Sequence, residues 1–267
     1  MLQKMPYSLK NRNVLVTGAS SERGLGAIIA KKFAIEGSNV AIHYNASAET
    51  AKRVAENIEK EYKVKAIVIQ GDTGILEDCE RMVQEATDGL GGLDIIVSNA
   101  GWTKFTESGE GNFGDLNFMT EQEWDKSWAV NCKAQLHLLR KALPTFNANP
   151  DGGAFLLTSS VAGVSASGST MAYSVTKAAG LHLVKCLAST QGPKVRVNAI
   201  LPGLLLTEWG ERFSKKMIER CEQKSYLGKT TDIEDCADAF ISAAKNGSMT
   251  GQNIQIDSGL AMSGRAG

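Results

Sequence analysis

Hydrophobic positions along the chain follow two alternating rhythms: short β-rich runs, and longer segments with apolar residues three or four apart. Val14-Leu15-Val16-Thr17 reads as a buried strand that ends in a glycine cluster. A helix over 27–36 follows, closed by Gly37 where helices favour glycine. Asn39 to His43 is a second strand, and small or apolar residues at 48, 51, 55, 58 and 62 give the next segment helical spacing. Ala66-Ile67-Val68-Ile69 and Asp94-Ile95-Ile96-Val97-Ser98 predict two more strands on either side of a helix over 75–88. Thr120, with Glu123 three residues on, has the capping-box pattern and opens a helix predicted to reach Leu143. Strands over 154–158, 195–200 and 253–256 complete the series, with a helix over 173–189 between the first two.

Strands that alternate with helices imply right-handed crossovers and a sheet covered on both sides. The expected architecture is therefore α/β: a doubly wound, seven-stranded parallel sheet with helices on both faces. No break in composition divides the chain, so 1–267 reads as one domain. Ligands of such sheets bind beyond the carboxyl ends of the strands. Two long irregular stretches leave those ends, 101–118 and 207–228, and the second reads as a lid over a substrate.

Composition narrows the classes further. Hydrophobic residues make up 43% of the chain, enough for a sizeable core, and Lys+Arg 29 balance Asp+Glu 29. That balance leaves no electrostatic footprint for nucleic acid or an anionic membrane. No apolar run approaches the ~18 residues of a membrane-spanning helix. Residues 1–6 lack the apolar core of a secretory signal, so a cytoplasmic location is expected. The five cysteines are odd in number and widely spaced, which favours free thiols over disulfides or a zinc site. His43, His137 and His182 are too scattered to form a metal site, and none is expected.

The first strand runs into Thr17-Gly18-Ala19-Ser20-Ser21-Glu22-Arg23-Gly24-Leu25-Gly26. Glycines let backbone approach a pyrophosphate closely, and the helix that follows offers unpaired N–H groups and the positive end of its dipole. Further marks come in order: Asp72 after the third strand, Asn99-Ala100-Gly101 after the fourth, and Asn131 in the following helix. Ser160 follows the fifth strand, thirteen residues before Tyr173-x-x-x-Lys177, and Pro202-Gly203…Thr207 follows the sixth. In their joint order and spacing these residues resemble the short-chain dehydrogenase/reductase superfamily, over nearly the whole chain. The resemblance implies a Rossmann-like fold, a nicotinamide cofactor and hydride transfer. One departure is plain: the family usually has three residues between the first two glycines of its fingerprint, and here Ala19 to Arg23 makes five.

Tyr173 and Lys177 share a helical face through their i,i+4 spacing. A free tyrosine has a pKa near ~10, too high for efficient proton exchange at neutral pH. An ammonium about 4 Å away, at an effective dielectric of ~20, favours phenolate by roughly 4 kcal/mol, or ~3 pK units. The expectation is a phenol brought near neutrality, which protonates the developing alkoxide while Ser160 donates a hydrogen bond to the same oxygen. The family further implies that Lys177 binds the nicotinamide ribose and that Asn131 holds a water in the proton relay. It also implies cofactor contacts from Gly18, Ser20, Ser21, Gly24, Leu25, Gly26, Asn99, Ala100 and Gly101. Asp72 or Thr73 would meet the adenine, and Pro202, Gly203 and Thr207 the nicotinamide.

NADP(H) is expected over NAD(H). An NAD-type site places a carboxylate about 20 residues after the glycine loop, where it would repel a 2′-phosphate. Here the second strand ends Tyr44-Asn45-Ala46-Ser47, and the first acid is Glu49, already in the helix. Arg23 stands where NADP-using members often carry a basic residue. Trp102, Phe105 and Phe113 in the first loop, with Trp209 and Phe213 in the second, suggest an apolar, roomy site for a bulky ketone or its alcohol. No basic cluster in either loop marks an anionic handle, Lys215 and Lys216 apart. An enoyl-thioester reductase would place lysine seven residues after the tyrosine, and position 180 is Gly180. A non-redox cyclase, isomerase or scaffold on this fold is the alternative, though such proteins typically lose part of the Ser/Tyr/Lys set. The family also implies a homotetramer or homodimer built on the helices near 120–143 and 173–189.

Overall fold

The computed structural model describes residues 7–107 and 111–262, so residues 1–6 and Gly109 of the first loop lie outside the described residues. Seven strands form one wholly parallel sheet in the order β3-β2-β1-β4-β5-β6-β7. They are β1 (Asn13–Val16), β2 (Asn39–Tyr44), β3 (Ala66–Gln70), β4 (Ile95–Ser98), β5 (Gly153–Thr158), β6 (Val195–Pro202) and β7 (Asn253–Ile256). The order reverses between β1 and β4, and chain leaving these two strands opens the crevice where ligands of such sheets bind. This is the Rossmann-like sheet that the alternating pattern predicts.

Alternation along each strand sends side chains into two separate cores. Val14 and Val16 of β1 face one side, with Ile29 and Phe33 of α1 (Leu25–Ile35), Val54 of α2 (Ala48–Tyr62) and Phe240 of α8 (Ile233–Lys245). Leu15 faces the other side, with Met82 of α3 (Leu76–Leu90), Leu138 and Phe146 of α5 (Ala134–Ala148) and Leu181 of α6 (Met171–Gln191). Burial on both faces explains why the central strands read as continuous apolar runs.

The predicted helix over 120–143 is three pieces. The capping box at Thr120 and Glu123 starts α4 (Glu121–Trp128), a π-helical turn follows over Ala129–Lys133, and α5 continues through Pro144 to Ala148. Hydrophobic spacing does not reveal an inserted π turn, and such turns gather at functional sites. Asn131 sits in this one. The stretch 207–228 is not irregular throughout: it carries a short turn over Gly210–Arg212 and α7 (Lys215–Lys224), capped by the Ser214 hydroxyl.

Candidate active site

The carboxyl ends of β1, β4 and β5 are tied together by side chains. The Thr17 hydroxyl accepts the backbone N–H groups of Asn99 and Ala100, each at 2.9 Å. The Asn99 amide donates to the carbonyls of Thr17 and Gly18, and its Oδ1 accepts the Thr158 hydroxyl at 3.1 Å. The glycine loop rests on this lattice. Gly18 has φ +63°, and a Cβ there would stand 2.9 Å from Ala100 Cα. A Cβ on Gly26 would stand 2.4 Å from the Gly18 carbonyl oxygen, so α1 reaches the loop this closely only through glycine.

His43, read from the sequence only as too far from the other histidines to form a metal site, holds the same loop. Its Nδ1 accepts the Gly18 N–H at 2.9 Å, and its main-chain carbonyl accepts the Ala19 N–H at 2.9 Å. Nε2 therefore carries the proton and donates to the Gly71 carbonyl at 3.0 Å. Burial pulls the imidazole pKa down to about 4 from 6.5. The unfolded chain binds this proton between pH 6.5 and 4 while the folded chain does not, so stability falls as pH drops through that window. Tm should decline over that range, and less steeply in His43→Gln, whose amide replaces the ring with a group that does not titrate. An equally steep decline in the variant would exclude His43 as the source.

The two charged residues of the longer glycine loop find partners outside it. Glu22 pairs with Arg53 of α2 at 3.1 Å, and Arg23 pairs with Glu211 of the 207–228 stretch. Ser21 Oγ is buried and has no hydrogen-bond partner among the described residues. It stands with Gly18, Ser20, Gly24 and Leu25 on the wall of a continuous cavity of about 1410 Å³. An orphaned hydroxyl beside backbone that a side chain would block fits a phosphate oxygen, which is what a dinucleotide brings. Asn45, Ser47, Asp72 and Thr73 line the same cavity, as do Asn99, Ala100, Gly101, Pro202, Gly203 and Thr207. Arg23, Gly26 and Tyr44 stand off its wall.

Ser160, Tyr173 and Lys177 also line it. Thr170 caps α6 by accepting the Tyr173 N–H, which sets the tyrosine in the first helical turn. Ser160 caps the turn over Val161–Gly163 and stands beside the phenol, whose proton affinity it lowers. Lys177 is buried, donates to the Thr158 carbonyl at 2.8 Å and lies 5.4 Å from the Tyr173 ring centre. The electrostatics differ from the expectation of a phenol near neutrality. Burial pushes the Tyr173 pKa up to about 12 against a smaller lowering effect of Ser160, and pulls Lys177 down to about 8. The cost of removing each group from water outweighs the attraction between them.

Asn131 lies behind the wall, fully buried. Its Oδ1 accepts the Trp102 N–H and its Nδ2 donates to the Trp102 carbonyl, both at 2.8 Å. The side chain thus clamps the backbone where the first loop begins. Its main-chain carbonyl accepts the Gln135 amide at 2.7 Å. From Trp102 the loop runs to Phe105, whose ring meets Trp209 at 5.8 Å and Phe213 at 5.4 Å, both edge-on. Trp209 in turn stands 6.3 Å from the Tyr173 ring. The two long loops therefore close an aromatic wall beside the phenol, with Trp102 and Phe113 on the same cavity. Among the described residues no group of three His, Cys, Asp or Glu could hold a metal, and no helix is long and apolar enough to cross a membrane.

Residues 18–261 match the family model described as enoyl-(acyl carrier protein) reductase. The chain is 33% identical over 255 residues to the 3-oxoacyl-[acyl-carrier-protein] reductase FabG of Staphylococcus aureus, covering 94% of this chain and 98% of that protein. A short chain dehydrogenase from Burkholderia cenocepacia, solved in complex with NADP, superposes with TM-score 0.84 at 28% identity, covering 95% and 99% of the two chains. The NADPH-dependent 3-quinuclidinone reductase of Rhodotorula rubra superposes with TM-score 0.84 at 27% identity, covering 95% and 92%. The chain belongs to the short-chain dehydrogenase/reductase superfamily. Its relatives are oxidoreductases.

Proposed function

We propose that the protein is an NADPH-dependent oxidoreductase that reduces the ketone of a fairly bulky, apolar substrate, or oxidises the corresponding alcohol. The observation that carries this reading is one continuous cavity with the orphaned Ser21 hydroxyl on the glycine loop and Ser160, Tyr173 and Lys177 on its wall. When bound, the nicotinamide supplies hydride to the carbonyl carbon. Tyr173 gives its phenolic proton to the carbonyl oxygen, and a phenol held at a pKa of about 12 is fully protonated and ready to do so at neutral pH. Ser160 donates a hydrogen bond to the same oxygen as charge develops on it. The Lys177 ammonium favours the phenolate left behind and would hold a ribose hydroxyl of the bound cofactor. Asn131 holds the loop that starts at Trp102 against the site. Gly180 is buried, with Leu157 3.3 Å from where a Cβ would stand, which supports ketone reduction over enoyl reduction at this tyrosine.

NADPH preference is supported by two similar structures, one solved in complex with NADP and one an NADPH-dependent reductase, and by Asn45 and Ser47, which stand on the cavity wall at the end of β2 without a carboxylate. The Arg23–Glu211 pair is exposed on both sides, and such pairs are worth ~0–1 kcal/mol. Arg23, just outside the cavity wall, would exchange Glu211 for a 2′-phosphate at little cost. The ratio of kcat/KM for NADPH over NADH should be well above one and should fall about tenfold, ~1.4 kcal/mol, in Arg23→Ala. Equal values for the two cofactors would sink the NADPH reading, and an unchanged ratio in the variant would remove Arg23 from it.

Substrate size is tested by rate. A bicyclic aromatic ketone should outpace a small acetoacetyl thioester in kcat/KM, and Trp209→Ala should narrow the gap. A faster small thioester, with Trp209→Ala harmless to both, would overturn the apolar-site reading. A homodimer or homotetramer is proposed as well, supported by the exposed Leu136 of α5 and Val175 of α6.

A further inference from the structure

The substrate half of the cavity is aromatic at one end and cationic along α7. Met217, Arg220, Cys221 and Lys224 of that helix line the cavity. Their offsets of three, four and seven residues place them on one helical stripe. Met217 opens the stripe three residues after the loop that holds Phe213, whose ring meets Phe105. At ~1.5 Å per residue, Lys224 lies about 10 Å further along the axis.

Two neighbouring cations are occupied. Lys215 leans on Glu219 at 3.9 Å, and the Arg212 guanidinium lies 5.5 Å from the Phe105 ring centre. Arg220 and Lys224 have no carboxylate within ion-pair distance among the described residues, and beside them on this part of the wall the only acid is Glu208. Burial raises the pKa of the Cys221 thiol, so it stays neutral and cancels neither charge. In a chain of balanced charge, two unpaired cations along one wall of a cleft draw an anion into it. The guanidinium fork suits a carboxylate or a phosphate ester.

We propose that the substrate carries an anionic group at the end remote from its carbonyl, and that Arg220 and Lys224 hold that group while its apolar body lies on the aromatic wall. This rests on the ketone-reductase reading, so binding and turnover are measured separately.

Binding is read from tryptophan fluorescence with octanoate and octanamide, which differ chiefly in charge. The wild-type protein should bind octanoate about tenfold more tightly. R220Q/K224Q should bring the ratio below about threefold, and R220K/K224R should keep it near the wild-type value. A wild-type ratio near one, or a preference that survives R220Q/K224Q, would overturn the proposal. Turnover is read with 9-oxodecanoate and its methyl ester in the presence of NADPH. Faster reduction of the carboxylate, lost in R220Q/K224Q, supports both readings. A charge preference in binding without reduction of either ketone supports the anion site and counts against ketone reduction alone.

Discussion

Tyr173→Phe should lower kcat by about 10²–10⁴-fold, the contribution of a positioned general acid, while cofactor affinity changes little. The phenol stands beside Ser160, and its ring keeps company with Trp209 at 6.3 Å. Removing the hydroxyl leaves the ring contacts in place and takes away only the proton. The raised pKa of about 12 matters for direction. Reduction needs the phenol protonated, which it is throughout the neutral range, so Tyr173 imposes no pH dependence on reduction between pH 6 and 8. Alcohol oxidation needs the phenolate, so its rate should climb as pH rises. Steady-state kcat for wild type and variant decides the matter. If Tyr173→Phe retains more than about a tenth of kcat, a loss below ~1.4 kcal/mol, Tyr173 is not the acid.

Lys177→Met should abolish most turnover and at the same time raise Tm at neutral pH. Burial lowers the lysine pKa to about 8 from 10.5. Between these values the unfolded chain binds a proton that the folded chain does not, so stability rises with pH through the window. Below pH 8 both states are protonated, and the full cost of burying the charge remains. The shift corresponds to about 3 kcal/mol, against which the hydrogen bond to the Thr158 carbonyl contributes ~1 kcal/mol. Methionine fills a similar volume without charge. A net gain of about 2 kcal/mol predicts a Tm some ~4–8 °C higher at pH 7, shrinking as pH approaches 10.5. Thermal melts at pH 7 and pH 10.5 test this, and a variant that melts at or below wild type at pH 7 would contradict it. Stability given up at Lys177 is the kind of trade expected where function needs a charge in a dry place.

Local pattern carried most of the fold. Each of the seven strands read from β-rich runs lies within about two residues of an observed strand, because burial on both faces writes apolar runs directly into Val14–Val16, Ile95–Val97 and Phe155–Leu157. The helix over 48–62 matches α2 end to end, since a half-buried helix shows its stripe openly. The break of 120–143 at Ala129–Lys133 was not legible, because a π turn shifts hydrogen bonds without disturbing the apolar spacing.

The residues of the site were likewise marked in the chain, as glycines, Ser160 and Tyr173-x-x-x-Lys177 at fixed distances from strand ends. Their state was not. Proton affinities of Tyr173, Lys177 and His43 depend on how much water the finished fold leaves around them, which no short segment encodes. Partners are equally remote: Arg23 meets Glu211, 188 positions away, and Asn131 clamps the Trp102 backbone from 29 positions on. The cationic stripe of α7 becomes a feature of the cavity only because the folded chain brings Met217, Arg220, Cys221 and Lys224 onto the same wall as residues from the strand ends. Sequence by itself determined which groups the protein possesses and on which elements they ride, through periodicities a few residues long. Tertiary structure alone decided which of them are dry, which are paired and which face the cavity, because solvation and long-range contact arise only when distant segments close on one another.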